Sequence, residues 1–216
     1  MSAEPETGER TYHHGDLRAA LLAAAREIVE EQGPEAFTLR EAARRAGVSH
    51  GAPSHHFGDK TGLLTELAIE TMSERVSQVE AARDAAGPNP MDQLKACGLA
   101  HIAYHIRHPQ LESLCWSDTL VKRDNERLLA IVDRMTSGLI ATMSAVLGKA
   151  LLPEKESNPS TLLAISVVNG FAQLVNDRVI LKDVPEPERT ERALRMASQM
   201  LDLVGAVFSP AVRDLA

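Results

Sequence analysis

A chain of 216 residues, 44% of them hydrophobic and only 3% aromatic, has room for one large helical domain or two smaller ones sharing a core. Abundant Ala and Leu with few β-branched runs point to an all-α fold and away from sandwiches and barrels. The formal charge of −7 argues against a chain-wide nucleic-acid surface, but it is unevenly spread. Residues 1–9 carry three acids and no base, residues 10–60 seven bases against seven acids, and residues 61–216 sixteen bases against twenty acids. Five of the eight histidines fall in the neutral segment. An acidic body attached to a neutral, His-rich head leaves a local DNA-facing patch open. Cys97 and Cys115 stand in no metal or redox spacing and suit a reducing cytoplasm. The polar, acidic N-terminus is no signal peptide, and the apolar region 161–175, broken by Ser166, Asn169 and Gln173, is too short to span a bilayer.

In chain order, residues 1–11 read as a disordered N-terminus. A first helix is predicted from Asp16 to Gln32, with Leu17, Leu21, Ala25, Ile28 and Val29 on one face and Gly33-Pro34 as its exit. Thr38 and Glu41 have the spacing of a capping box, and Leu39, Ala42, Ala43 and Ala46 repeat at helical intervals. Gly47 permits a turn, Val48 is a candidate buried plug, and Ser49 is a candidate N-cap for a second short helix. Only about three turn residues then separate the two helices, which is the pattern of a helix-turn-helix. Pro53, about four residues into that second helix, calls for an irregular or 3₁₀ first turn. Asp59 caps a predicted fourth helix over 60–84, with Leu63, Leu64, Leu67, Ala68, Thr71 and Met72 inward.

Gly87-Pro88-Asn89-Pro90 marks the next boundary, with Asn89 as cap and Pro90 at the first helical position. Helices are predicted over 90–107, to Trp116, and over 118–149, the last with the stripe Leu128, Val132, Met135, Leu139, Met143 and Val146. A charged, Pro-containing loop fills 152–159. The helix at 159–181 is apolar on nearly every side, and the last, 187–208, on two faces. Such helices need cover on all sides, and a second copy of the chain supplies it most simply, so a homodimer through the last two helices is expected.

The stretch from Tyr12 to about Met72 resembles the TetR family of bacterial transcriptional regulators. The matching residues are the lead helix, Phe37-Thr38-Leu39-Arg40-Glu41-Ala42-Ala43, Ala46-Gly47-Val48-Ser49, His56-Phe57 and Asp59-Lys60-Thr61-Gly62-Leu63-Leu64. Tyr12-His13-His14-Gly15-Asp16-Leu17-Arg18 and Ala52-Pro53 are similar to the branch with a C-terminal Trp-x-x-x-His-Gly signature. Here that place reads Ile165-Ser166-Val167-Val168-Asn169-Gly170, without the Trp or the His. Ser54 stands where the family usually has a phosphate-contacting Tyr. The resemblance implies an N-terminal helix-turn-helix DNA-binding domain (12–60) and a larger C-terminal ligand-binding and dimerisation domain (61–216). It further implies a dimeric repressor whose operator binding is changed by a small molecule in the larger domain.

For base readout the candidates are His50, Gly51, Ala52, Ser54 and His55, with Gly51 and Ala52 small enough for close approach. His50 and His55 can donate to guanine or to phosphate, while His56 is assigned inward beside Phe57. Thr38, Arg40, Arg44, Lys60 and His14 are the phosphate candidates, and Arg45 reads equally as a solvated charge. His101 and His105 at i, i+4 have a chelating spacing but too few companions for a metal site. With Tyr104, Trp116, Met135 and Met143 they are instead candidates for lining an effector pocket, and His108 for capping a helix end. No nucleophile–base set, Gly-rich phosphate loop or metal quartet is present in the sequence, so neither catalysis nor a cofactor is expected. The competing reading is an all-helical enzyme or metal-dependent binder carrying an incidental helix-turn-helix.

Overall fold

The computed structural model describes residues 14–148 and 159–207, and these form nine α-helices with no strand among them. The expected N-terminal disorder and the loop at 152–158 lie outside the described residues.

The head is built from short helices whose ends are written locally. α1 (His14–Gln32) starts two residues before the expected Asp16 and buries Leu21, Leu22, Ala25, Ile28 and Val29. Gly33, at φ +83°, turns the chain while its N–H closes on Val29 O at 2.9 Å. Phe37, wholly buried, anchors the entry to α2 (Leu39–Arg45). Thr38 Oγ1 accepts from Glu41 N at 3.2 Å, forming the first half of the capping box. Glu41's carboxylate does not act as the reciprocal half; it is held by Arg44 (2.8 and 2.7 Å) and Arg45 (3.1 Å).

α3 (Ala52–Phe57) corrects the sequence reading at its start. Ser49 is not its N-cap: the capping position is Gly51, and Ser49 contributes only a carbonyl, accepting from Ala52 N at 3.1 Å. The turn therefore spans 46–51 instead of about three residues. Pro53 explains the delay. A proline lacks an N–H, which is harmless only in the first turn, so the helix begins at Ala52 and places Pro53 among donors that have no intrahelical partner anyway.

α4 (Lys60–Ala85) is the spine. Asp59 Oδ1 accepts from Gly62 N at 2.6 Å, and Leu63, Leu64, Leu67, Ala68, Thr71 and Met72 face inward as expected. At Gly62 the α3–α4 link passes so close that a Cβ would overlap the carbonyl oxygen of Phe57. One cluster of buried residues runs from α1 and α2 through α4 to the later helices, including Leu111, Leu114, Leu120, Val121 and Leu128.

α5 (Pro90–Arg107) begins as predicted, Asn89 Oδ1 accepting from Met91 N at 2.9 Å, and α6 (Pro109–Cys115) follows. α7 (Glu126–Leu147) starts eight residues later than expected from 118. Leu120 and Val121 drop into the core, Lys122 N donates to Thr65 Oγ1 at 2.9 Å, and Asn125 caps at 3.0 and 3.2 Å. A tertiary contact thus overrides a helix-compatible local sequence. α7 is the one helix among the described residues long and apolar enough to cross a membrane, but Arg127 and Arg134 tie it to Glu66 and Glu80 of α4.

α8 (Pro159–Asn176) ends before the expected 181, where Asn176 Nδ2 donates to the carbonyl of His105 at 3.1 Å. α9 (Glu188–Val207) packs with α5 and α8 around Ile102, Ile106, Phe171, Val175, Ala193 and Ala197. The opposite faces stay bare: Leu162, Leu163, Ile165 and Leu174 of α8, and Met196, Leu203 and Val207 of α9, are exposed in the single chain.

Candidate nucleic-acid interface and effector cavity

On the head, α3 buries Pro53 and half-buries Ala52, His56 and Phe57, so its open face consists of Ser54 and His55. His50 and Gly51 are exposed in the turn just before the helix, not on it. His56 sits edge-on to His55 with ring centres 5.3 Å apart and next to Phe57, over whose ring the Arg18 guanidinium lies at 5.2 Å. The inward assignment of His56 agrees with its half-buried state.

The basic candidates separate by what already holds them. Arg40 and Thr38 are exposed at the start of α2. Arg44 is exposed but forms a two-bond fork with Glu41, whose carboxyl is held down to about 2 by hydrogen bonds from Arg44 and then Arg45. Arg45 is not a free solvated charge: it reaches Glu31 at 2.7 Å, Glu41 at 3.1 Å and Glu27 at 3.8 Å, pinning α2 to α1. Lys60 is half-buried, donating to Glu35 O at 3.2 Å with its ammonium 6.0 Å from the Phe37 ring centre. His14 opens α1, and its side chain lies outside the described residues.

The body encloses a cavity of about 570 Å³ between α4, α5, α7, α8 and α9. This is within the range of about 300–1,000 Å³ usual for small-molecule sites. Of the six residues expected there, His101, His105, Trp116 and Met135 line it. Tyr104 and Met143 do not, which corrects the sequence reading. Tyr104 is fully buried with Oη at 3.3 Å from Thr71 O and 3.2 Å from Glu74 Oε2, and burial pushes its phenol up. Met143 belongs to a separate small cluster with Leu147. Both lie on helices that do line the cavity, but on other faces of them.

The inner wall holds groups that sequence reasoning missed. Arg75 of α4 and Glu112 of α6, with side chains 1% and 4% exposed, form a buried ion pair. His105 Nε2 is 3.2 Å from the same Glu112 oxygen, and Arg75 Nη2 is 3.4 Å from Met135 Sδ. His101 Nε2 is 2.8 Å from Asn169 Oδ1, at the position where the degenerate signature replaces His by Asn. Burial, with the His105 and Arg75 charges, pushes His101 down to about 4, and burial with Arg75 does the same to His105. Both imidazoles are therefore neutral near pH 7. The signals were present: Arg75 continues the inward α4 face four residues after Thr71, and Asn169 interrupts an apolar run. Cys97 lines the cavity with a thiol pushed up by burial, and Cys115 is pushed up to about 12 by burial and Glu112. Neither is poised as a nucleophile. Among the described residues no group of three or more His, Cys, Asp or Glu is placed to hold a metal ion. His108 caps the end of α5 as expected, its backbone N–H donating to Tyr104 O at 3.0 Å, and its side-chain Nδ1 lies 2.9 Å from Glu30 Oε1, bridging to the head.

The model of bacterial regulatory proteins of the tetR family matches residues 21–67. The chain is similar to the HTH-type transcriptional regulator BetI of Paraburkholderia phytofirmans, with 30% identity over 193 residues, 87% of this chain and 92% of that protein. Among solved structures it is similar to a protein with unknown function from Rhodococcus sp. RHA1 (TM-score 0.71, 25% identity, 89% of this chain and 97% of that one). It is also similar in fold to the TetR family transcriptional regulator PfmR from Thermus thermophilus (TM-score 0.62, 22% identity, 85% and 92%).

Proposed function

Because this chain belongs to the TetR family of bacterial regulatory proteins and is a DNA-binding transcriptional regulator, we propose that it acts as a cytoplasmic homodimeric repressor released by a small molecule. The observation that carries this reading is the combination of a docked helix-turn-helix with one continuous helix, α4. That helix runs from Lys60 at the head to the cavity wall at Arg75 and Val79.

Residues 12–60 serve as the DNA-binding unit and 61–216 as the ligand-binding and dimerisation part. In the major groove, His50 and Gly51 of the turn and Ser54 and His55 of α3 face base edges, with Ala52 close behind. Thr38, Arg40 and Lys60 contact phosphate. Arg44 contributes less to the salt dependence because Glu41 already neutralises it. The bare faces of α8 and α9 pair with those of a second copy, which removes the exposed Leu162, Leu163, Leu174 and Leu203 from water. A two-fold dimer then spans half-sites about 34–36 Å apart. An effector that binds one spacing of the heads better than the other weakens operator binding by that difference, and about 1.4 kcal/mol is tenfold.

Selection of bound duplexes from a random pool, followed by mobility shift at physiological salt with and without candidate ligands, tests the reading. Sedimentation of the free protein tests the dimer. Binding that stays non-specific at about 0.15 M salt, or a monomer at micromolar concentration, would overturn it. Ser54→Tyr should tighten binding to all sequences alike if Ser54 faces phosphate; a change confined to particular bases would show that it reads sequence.

A further inference from the structure

The polar contacts of His101 and His105 restrict what the cavity accepts. Glu112 Oε2 is a carboxylate oxygen and only accepts, so at 3.2 Å, a close polar contact without hydrogen-bond alignment, the His105 Nε2 beside it is the ring nitrogen that favours carrying the proton. Asn169 Oδ1 likewise only accepts, so His101 Nε2 carries the proton in its 2.8 Å contact. A neutral imidazole has one N–H, which leaves Nδ1 of each ring as a bare lone pair, and neither Nδ1 has a hydrogen-bond partner among the described residues. The rings stack at 4.8 Å between centroids, one helical turn apart on the cavity wall.

The charged groups around the cavity, Asp92 apart, already have charged partners, although Arg75 Nε and Glu112 Oε1 are buried without a hydrogen bond. Arg75 pairs with Glu112, Arg134 with Glu80, Lys95 with Asp202 at 2.5 Å and Arg83 with Asp84 at 2.9 Å. Asp92 is exposed at the rim. An anion would therefore be buried without a counter-ion, and a cation would find only Asp92 at the exposed rim, so burying either charge deep in the cavity is unfavourable. A neutral apolar ligand without a donor would leave two imidazole acceptors dry.

From this geometry we infer that the effector is a neutral, largely apolar molecule with a hydroxyl group that donates its one O–H to Nδ1 of His101 or of His105. The inference rests on the reading of the body as a ligand-binding domain. The remaining wall, with Val76, Val79, Leu139, Val168 and Leu201, takes the hydrocarbon part.

Four probes of one chain length test it by calorimetry on the full chain at pH 7: 1-decanol, 2-decanone, decanoate and decylammonium. The alcohol is expected to bind roughly tenfold more tightly than the ketone, which only accepts, since a lost hydrogen bond at a buried acceptor is worth about that factor. Both ions are expected to bind more weakly than the alcohol. Equal binding of alcohol and ketone, preference for either ion, or no binding of any probe overturns the inference. In the His101→Phe/His105→Phe variant the margin of alcohol over ketone should vanish. Should that variant not fold, the nitrogen NMR spectrum of the unmodified protein decides independently. Both histidines must show a protonated Nε2 and a pyridine-like Nδ1, and either ring in the other tautomer refutes the assignment. None of these readouts involves DNA, so mobility shift of the same preparation separates failure of the cavity reading from failure of the regulator reading.

Discussion

Removing Arg75 is the sharpest test of how the body is held together. Arg75→Met leaves the Glu112 carboxylate, 4% exposed, with His105 Nε2 at 3.2 Å as its remaining close polar contact among the described residues. Breaking a buried pair by deleting one partner costs about 3–5 kcal/mol, because the survivor stays desolvated and uncompensated. For a chain of this length that lowers the melting temperature by on the order of 10 °C. Replacing both members, Arg75→Met with Glu112→Leu, removes both charges and refills the space with apolar volume. That double variant should return to within about 1 kcal/mol of the parent, the remaining deficit being the lost polar contact of His105 with Glu112. The single variant also carries a pH signature. Arg75 helps push His105 down to about 4, so without it the imidazole protonates more readily and pairs with Glu112. The deficit should therefore narrow as pH falls from 7 towards 5. Urea unfolding followed by circular dichroism, at fixed protein concentration because dimerisation couples to stability, reads all three. A single variant that loses under about 1 kcal/mol, or a double variant no better than the single, refutes the reasoning.

Three further outcomes follow from the geometry. Gly62→Ala drives a Cβ into the carbonyl oxygen of Phe57, so α3 must shift or unwind; specific DNA binding should fall at least tenfold, more than thermal stability alone accounts for, measured by mobility shift beside calorimetry. His101 and His105 have folded pKa values of about 4 against an ordinary 6.5, so the folded state binds fewer protons than the unfolded. Stability from this source is complete above pH 6.5 and is lost as pH falls towards 4, on the order of 2 kcal/mol per imidazole between pH 7 and 5. Urea midpoints at pH 7 and 5 should converge in His101→Phe/His105→Phe, and an unchanged pH slope would count against burial as the cause. Asn125→Ala frees two amides at the start of α7 and should lower stability by about 1–2 kcal/mol with no change in DNA affinity per folded dimer.

How much of this molecule is written locally is clearest at the helix ends. Thr38, Asp59 and Asn89 each accept from an amide two or three residues on, and Gly33 and Gly47 adopt φ of +83° and +67°, so a short window of sequence determines these boundaries. Periodicity likewise identified the inner face of α4, because burial on one side of a helix leaves a repeat of 3.6 residues in the sequence. Pro53 was legible as an obstacle, but the choice to start α3 at Ala52 came from fitting it into the first turn.

Other features were settled only by contacts across the chain. The residues before Glu126 stay out of α7 because Leu120, Val121 and Lys122 meet α4, more than fifty residues away in sequence. Arg75 and Glu112 are 37 residues apart and His101 and Asn169 are 68, separations that no local pattern encodes. Tyr104 and Met143 looked like pocket residues by type, yet helix rotation turned them away from the cavity. By itself the sequence determined the order and approximate places of the helices, the caps at Thr38, Asp59 and Asn89, and which family the head resembles. The tertiary structure alone decided which polar groups meet around the cavity, because a helical repeat specifies a buried face but not the partner that covers it.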